Sequence, residues 1–124
     1  MHKLMVVDDS NIIRNRIERS FTADNIEIVA TATNGLEAIQ QFDIHQPDLI
    51  TMDLTMPHMD GLECIRRIVA KQTGVSILVV SALSDKATAL KALKYGARGF
   101  LCKPFNEEAL TQALNKLLQY KVVK

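Results

Sequence analysis

Leu49-Ile50-Thr51-Met52-Asp53-Leu54-Thr55-Met56-Pro57-His58-Met59-Asp60-Gly61 holds a whole strand-to-helix connection. Leu49 to Met52 is a short apolar run, set off by Pro47-Asp48 and ending on the carboxylate of Asp53. A run of this length between turn residues reads as a strand buried on both faces. Leu54 to Gly61 is rich in turn formers, and Leu62, Ile65 and Val69 then recur at helical spacing, predicting a third helix to about Lys71.

The same strand-then-helix unit recurs on both sides of this stretch. Leu4-Met5-Val6-Val7 runs into Asp8-Asp9, after which Ser10 or Asn11 can cap a helix with Ile13, Ile17 and Phe21 on one stripe. Glu27 to Thr33 reads as a second strand. Asn34-Gly35 could close a hairpin, but Leu36, Ile39 and Phe42 follow at helical spacing and favour a helix. Downstream, Gly74 precedes a fourth strand, Val75 to Val80, which runs into Ser81. Ser84 or Asp85 caps the next helix, and Gly96 ends it as a left-handed C-cap. A fifth strand, Gly99 to Cys102, runs into Lys103-Pro104. Asn106 caps the last helix, Glu107 and Glu108 favour its dipole, and Leu110, Ala113, Leu114 and Leu117 form its buried stripe. Five such units predict an α/β fold, (βα)5, with a parallel sheet covered by helices on both faces.

At 124 residues the length suits one domain, 1–124, with 119–124 as a frayed tail. A net charge of +1 argues against a dedicated nucleic-acid binder. No apolar run approaches the ~20 residues that cross a bilayer, and the start is too short for a signal-peptide core, so a cytoplasmic protein is expected. Cys64 and Cys102 lack metal-ligand spacing, and Cys102 reads as a small core residue of its strand. His2, His45 and His58 show no ligand spacing either, with His58 expected on an exposed loop tip. Met52, Met56 and Met59 read as packing or loop cover.

Four apolar runs thus end on polar residues: Asp8-Asp9, Asp53, Ser81 and Lys103. In an open parallel sheet the carboxyl ends of the strands form the rim where ligands bind. A lone aspartate after a strand is more often a turn or cap residue, but three at one rim are a different matter. Carboxylates within a few ångström cannot all stay bare anions: a pKa rises or a cation joins them. A hard divalent ion with oxygen ligands meets that demand, and Mg2+ also takes phosphate oxygens. The set reads as a divalent-metal site that places a phosphoryl group on Asp53. Strand order is not visible here; an order 2-1-3-4-5 would put Asp8-Asp9 and Asp53 across one crevice.

Val6-Val7-Asp8-Asp9-Ser10, Met52 to Gly61, Ser81-Ala82 and Lys103-Pro104-Phe105 occur in sequence at strand ends, and over about residues 3–119 the chain resembles a bacterial two-component response-regulator receiver domain, of the CheY-like single-domain type. The resemblance implies the doubly wound, flavodoxin-like sheet of order 2-1-3-4-5. It implies that Asp53 accepts phosphoryl from a histidine kinase, and that Asp8, Asp9, Asp53 and the Thr55 carbonyl hold Mg2+, Asp9 most directly. Lys103 would pair with Asp53 and then with a phosphoryl oxygen, Ser81 would bond another, and a cis peptide at Pro104 would aim the lysine inward. Ser81 and Phe100 would form the switch, with Phe100 turning inward and reshaping the face of helix four, strand five and helix five. Lys86, Lys91, Lys94 and Arg98 on that face suit an acidic partner segment or are simply solvated. Ser81 lies 19 residues before Phe100 and 22 before Lys103, as in the family.

Some residues depart from common family choices. Phe100 stands where tyrosine is frequent and Ser81 where threonine is, while Thr55 and Leu83 occupy variable positions that influence the hydrolytic water. The implied protein is a signalling phosphoacceptor, an enzyme only toward its own phosphorylation and slow dephosphorylation. It would act as a monomer through protein contacts, without DNA or membrane insertion, and the flagellar motor switch is the first candidate partner. A phosphorelay intermediate or phosphate sink is the alternative. A haloacid-dehalogenase-type phosphatase would want an aspartate where Thr55 stands. A flavodoxin-like cofactor module would suffer repulsion between Asp8-Asp9, Asp53 and a flavin phosphate.

Overall fold

The computed structural model describes residues 2–20, 26–54, 59, 61–71, 74–82 and 86–122, with side chains at 20 and 119–122 excepted. Five strands and five helices alternate: β1 His2–Val7, α1 Asn11–Ser20, β2 Ile26–Ala32, α2 Gly35–His45, β3 Leu49–Asp53, α3 Gly61–Val69, β4 Ser76–Ala82, α4 Lys86–Lys94, β5 Gly99–Lys103 and α5 Glu107–Val122. All strand pairs are parallel and the sheet order is β2-β1-β3-β4-β5, so (βα)5 and the expected order both hold.

Strand alternation sorts the core into two layers. Met5, Val7, Ile50, Met52, Ile77 and Val79 face α2, α3 and α4, where Ala38, Phe42, Cys64, Ile65 and Ile68 meet them. Leu4, Val6, Leu49, Leu78 and Val80 face α1 and α5, against Ile17, Leu110, Leu114 and Leu117. Strands covered on both sides must be apolar throughout, which is why the runs do not alternate.

Helix ends follow the local chemistry. Asn34 Oδ1 accepts from the Glu37 N–H at 2.8 Å, and Glu37 Oε1 reaches back to the Thr33 N–H at 2.9 Å. That reciprocal cap selects helix over hairpin at Asn34-Gly35. Gly96, at φ 121°, closes α4: its N–H donates to Leu93 O and the Ala97 N–H to Ala92 O. Asn106 Oδ1 accepts from the Ala109 N–H at 2.7 Å and starts α5.

Several expectations change. Leu36 is 50% exposed, and α2 instead buries Gly35, Ala38 and Phe42. The cause is Gly35, whose N–H donates to Met59 O and where a Cβ would lie 2.6 Å from that oxygen. This contact turns the Gly35 edge inward and Leu36 out. Helix α3 ends at Val69 rather than Lys71, and Cys64 and Ile68 are buried with Ile65. Cys102 is only half-buried because β5 is an edge strand; Cys64 is the core cysteine. Helix α5 is described as far as Val122. Phe21, Thr55, Met56, His58, Leu83, Ser84 and Asp85 lie outside the described residues. Among the described residues no helix is long and apolar enough to cross a membrane.

Candidate functional site

Strands β1 and β3 are neighbours, with Val7 opposite Met52, so Asp8 and Asp53 emerge side by side at the carboxyl rim. Asp8 is 1% exposed and Asp53 6%, whereas Asp9 is exposed. One carboxylate oxygen from each of the three lies within 4.8 Å of the others. Burying two carboxylates side by side is costly without a counter-charge. Strand β5 supplies one: Lys103 Nζ lies 3.0 Å from Asp8 Oδ2 and 3.4 Å from Asp53 Oδ1. Burial pulls the ammonium's pKa down, but the hydrogen bond to Asp8 and the charges of Asp53 and Asp8 outweigh this and hold it above the ordinary lysine value. The nearer partner is thus Asp8, where the sequence reading pairs Lys103 with Asp53. The ammonium sits between two buried carboxylates and offsets one of their two negative charges. The Lys103–Pro104 peptide is cis.

The rim is braced by groups that do not themselves carry the chemistry. The Ser10 N–H donates to Asp8 Oδ1 at 2.9 Å, while Ser10 Oγ accepts from the Ile13 N–H and caps α1. Arg14 Nη1 donates to the Asp8 carbonyl at 2.7 Å and Nη2 to Asn11 Oδ1. Across the crevice, the Gly61 N–H donates to Leu54 O at 3.0 Å. A Cβ on Gly61 would stand 2.3 Å from Asp53 O and 2.6 Å from Leu54 Cα, so the chain returns against the backbone of Asp53 itself.

Ser81 is buried on β4, one residue past Val80, which pairs with Asp53 in register. Phe100 is half-buried on β5 opposite Val79 and packs against the α2–α4 layer. The structure therefore brings Asp8, Asp9, Asp53 and Lys103 together. Ser81 lies on the adjoining strand and Phe100 deeper on β5. The Thr55 carbonyl lies outside the described residues. Arg14 and Gly61 are supports that pattern reading missed, while Ser10, read there as a helix cap, caps α1 and also braces Asp8 through its N–H. Gly61 was visible only as a turn residue, and nothing in spacing links Arg14 to a carbonyl six residues earlier.

The donor set suits a small hard cation. Three carboxylates against one ammonium leave two uncompensated negative charges, the complement of a divalent ion. Asp8 already accepts on both oxygens, whereas Asp9 accepts no hydrogen bond among the described residues. Asp9 is thus the carboxylate with the most unused acceptor capacity.

Comparison with known proteins gives a consistent picture. The sequence profile of the response regulator receiver domain matches residues 4–115. The chemotaxis protein CheY of Listeria monocytogenes is 40% identical over 116 residues, covering 94% of this chain and 98% of that protein. CheY of Bacillus subtilis is 35% identical over 117 residues, covering 94% and 98%. Among solved structures, the CheX–CheY–BeF3–Mg+2 complex from Borrelia burgdorferi superposes with a TM-score of 0.88 at 28% identity, over 94% of this chain and 89% of that one.

Proposed function

This chain belongs to the response regulator receiver domain family, and from that premise we propose that it is a CheY-like response regulator of a chemotaxis pathway. It takes a phosphoryl group on Asp53 from a histidine kinase in the presence of Mg2+. The observation that carries this reading is the convergence of Asp8, Asp9 and Asp53 within 4.8 Å around an ammonium that contacts two of them.

Asp53 is the phosphoacceptor because it is the carboxylate at the end of a central strand, held by the Gly61 return and faced by Lys103. Its oxygen attacks phosphorus, forming a P–O bond as the P–N bond to the kinase histidine breaks and its electron pair returns to the imidazole. Such transfer depends on positioning and charge neutralisation more than on acid–base chemistry. Asp8, Asp9 and Asp53, with the Thr55 carbonyl, would hold Mg2+. When bound, the ion screens charge on the transferring group. Lys103 supplies a second positive point and follows the new phosphoryl oxygen.

A phosphoryl group adds charge and acceptor oxygens beside Ser81. Movement of Ser81 toward it shifts the segment before α4, and Phe100 turns into the space. The face of α4, β5 and α5 then changes shape. Lys86, Lys91, Lys94 and Arg98 are exposed there with Leu90, Leu93 and Tyr95, an apolar strip edged by positive charge. That chemistry suits an acidic amphipathic segment, with the flagellar motor switch as first candidate. The protein works in the cytoplasm as a monomer and contacts neither DNA nor the bilayer.

The switch is tested by partner affinity. Lys103→Ala should still be phosphorylated but show no phosphorylation-dependent gain in binding to the downstream protein. A gain equal to that of the unmodified sequence contradicts the role given to Lys103.

A further inference from the structure

We propose that Arg14 is a positioning residue for the cation site: it holds the peptide joining Asp8 to Asp9 and thereby aims the Asp9 carboxylate. The inference rests on the reading that Asp8, Asp9 and Asp53 hold Mg2+.

The backbone shows why a clamp is needed at this point. The Asp8 N–H donates to Ala32 O at 3.0 Å, and Ala32 is the last residue of β2. The sheet ladder stops there, so the Asp8 carbonyl has no strand partner among the described residues. A half-buried carbonyl needs one. Arg14 Nη1 meets it at 2.7 Å, a length typical of charge-assisted hydrogen bonds. Nη2 donates to Asn11 Oδ1, tying the same guanidinium to the first residue of α1. The planar fork therefore spans from the strand end to the helix start and fixes the connection between them.

The three carboxylates do not depend on this clamp equally. The Asp8 side chain is held by the Ser10 N–H and Lys103, and Asp53 lies within β3 against Gly61. Asp9 is exposed and accepts no hydrogen bond among the described residues. Its support therefore comes through the backbone, and the peptide that enters it carries the oxygen held by Arg14. Asp9 is also the carboxylate with the most unused acceptor capacity. Support for a metal ligand here comes through the main chain.

Charge and position predict opposite signs. Arg14 is a cation near a cation site, so on electrostatic grounds its removal tightens Mg2+ binding. A positioning role predicts that its removal weakens binding. Support groups around metal ligands change affinity by about 10-fold or more when lost.

The test is calorimetric titration of the full chain with Mg2+ alone, with melting followed in parallel. Arg14→Ala should bind about 10-fold more weakly. Arg14→Lys should recover part of the loss, because one ammonium can reach the carbonyl but cannot hold Asn11 as well. Arg19→Ala removes the same charge farther along α1, where Arg19 Nε donates to Asn15 O, and should bind Mg2+ as the unmodified sequence does. Unmodified protein that binds Mg2+ with Arg14→Ala equal or tighter overturns this proposal alone. Unmodified protein that does not bind Mg2+, or that binds no better than Asp9→Asn, overturns the metal reading and this proposal with it. Should Arg14→Ala fail to fold, Arg14→Lys decides, and an affinity equal to the unmodified sequence overturns the proposal.

Discussion

Replacing Lys103 by methionine removes the ammonium between Asp8 and Asp53 while keeping an apolar stem of similar length. Both carboxylates stay behind, 1% and 6% exposed, with their counter-charge gone. Removing one partner from a buried ion pair costs about 3–5 kcal/mol. The Lys103 side chain is 23% exposed, so solvent softens the loss toward the lower figure, about 3 kcal/mol. For a domain of this size that corresponds to a melting temperature lower by roughly 10 °C. Mg2+ can replace the missing positive charge and binds only the folded arrangement, so it should restore much of the difference. Circular-dichroism melts of both proteins, in chelator and in millimolar Mg2+, measure this directly. A deficit of the same size in both conditions refutes the reasoning, as does Lys103→Met melting at or above the unmodified protein in chelator.

Other outcomes follow from the same geometry. The Lys103 pKa is raised above 10.5, so its stabilising contribution is complete below the ordinary lysine value and is lost as pH rises through the higher folded value. The stability gap to Lys103→Met in urea should therefore be constant at neutral pH and close above about pH 10.5; a gap that widens contradicts the pairing. Gly61→Ala places a Cβ 2.3 Å from Asp53 O and must push the loop or the strand end aside. Urea unfolding should show a loss of about 1–3 kcal/mol together with slower phosphoryl uptake, and an unchanged midpoint and rate would contradict the close approach. Asn106→Ala should cost about 1 kcal/mol through loss of the α5 cap and leave Mg2+ affinity unchanged; weakened Mg2+ binding would show that α5 is coupled to the rim.

Legibility in the sequence followed the range of the interactions. Buried parallel strands demand continuous apolar runs, so β1, β3 and β4 and the residues that end them were visible directly. Gly96 and Asn106 act on neighbours within a turn, and their capping roles were visible for the same reason, whereas Asn34 was read only as half of a possible hairpin turn. Strand order pairs segments far apart in the chain and came only from the resemblance to receiver domains. The misread side chains depend on distant neighbours. Leu36 faces out because Gly35 packs on Met59, and Cys102 is half-exposed because β5 is an edge strand of the sheet. Lys103 contacts Asp53 as read, and its closer contact with Asp8 was not visible because the two residues lie 95 apart in the chain. Arg14 was illegible because its partner is a backbone carbonyl, which has no residue identity to notice.

The most direct test of the central claim is the intact mass of the protein after incubation with a small phosphodonor and Mg2+. The unmodified chain should gain the mass of one phosphoryl group, and Asp53→Asn should gain none. Equal phosphorylation of Asp53→Asn, or no gain in the unmodified chain, would contradict the assignment of Asp53 as the phosphoacceptor.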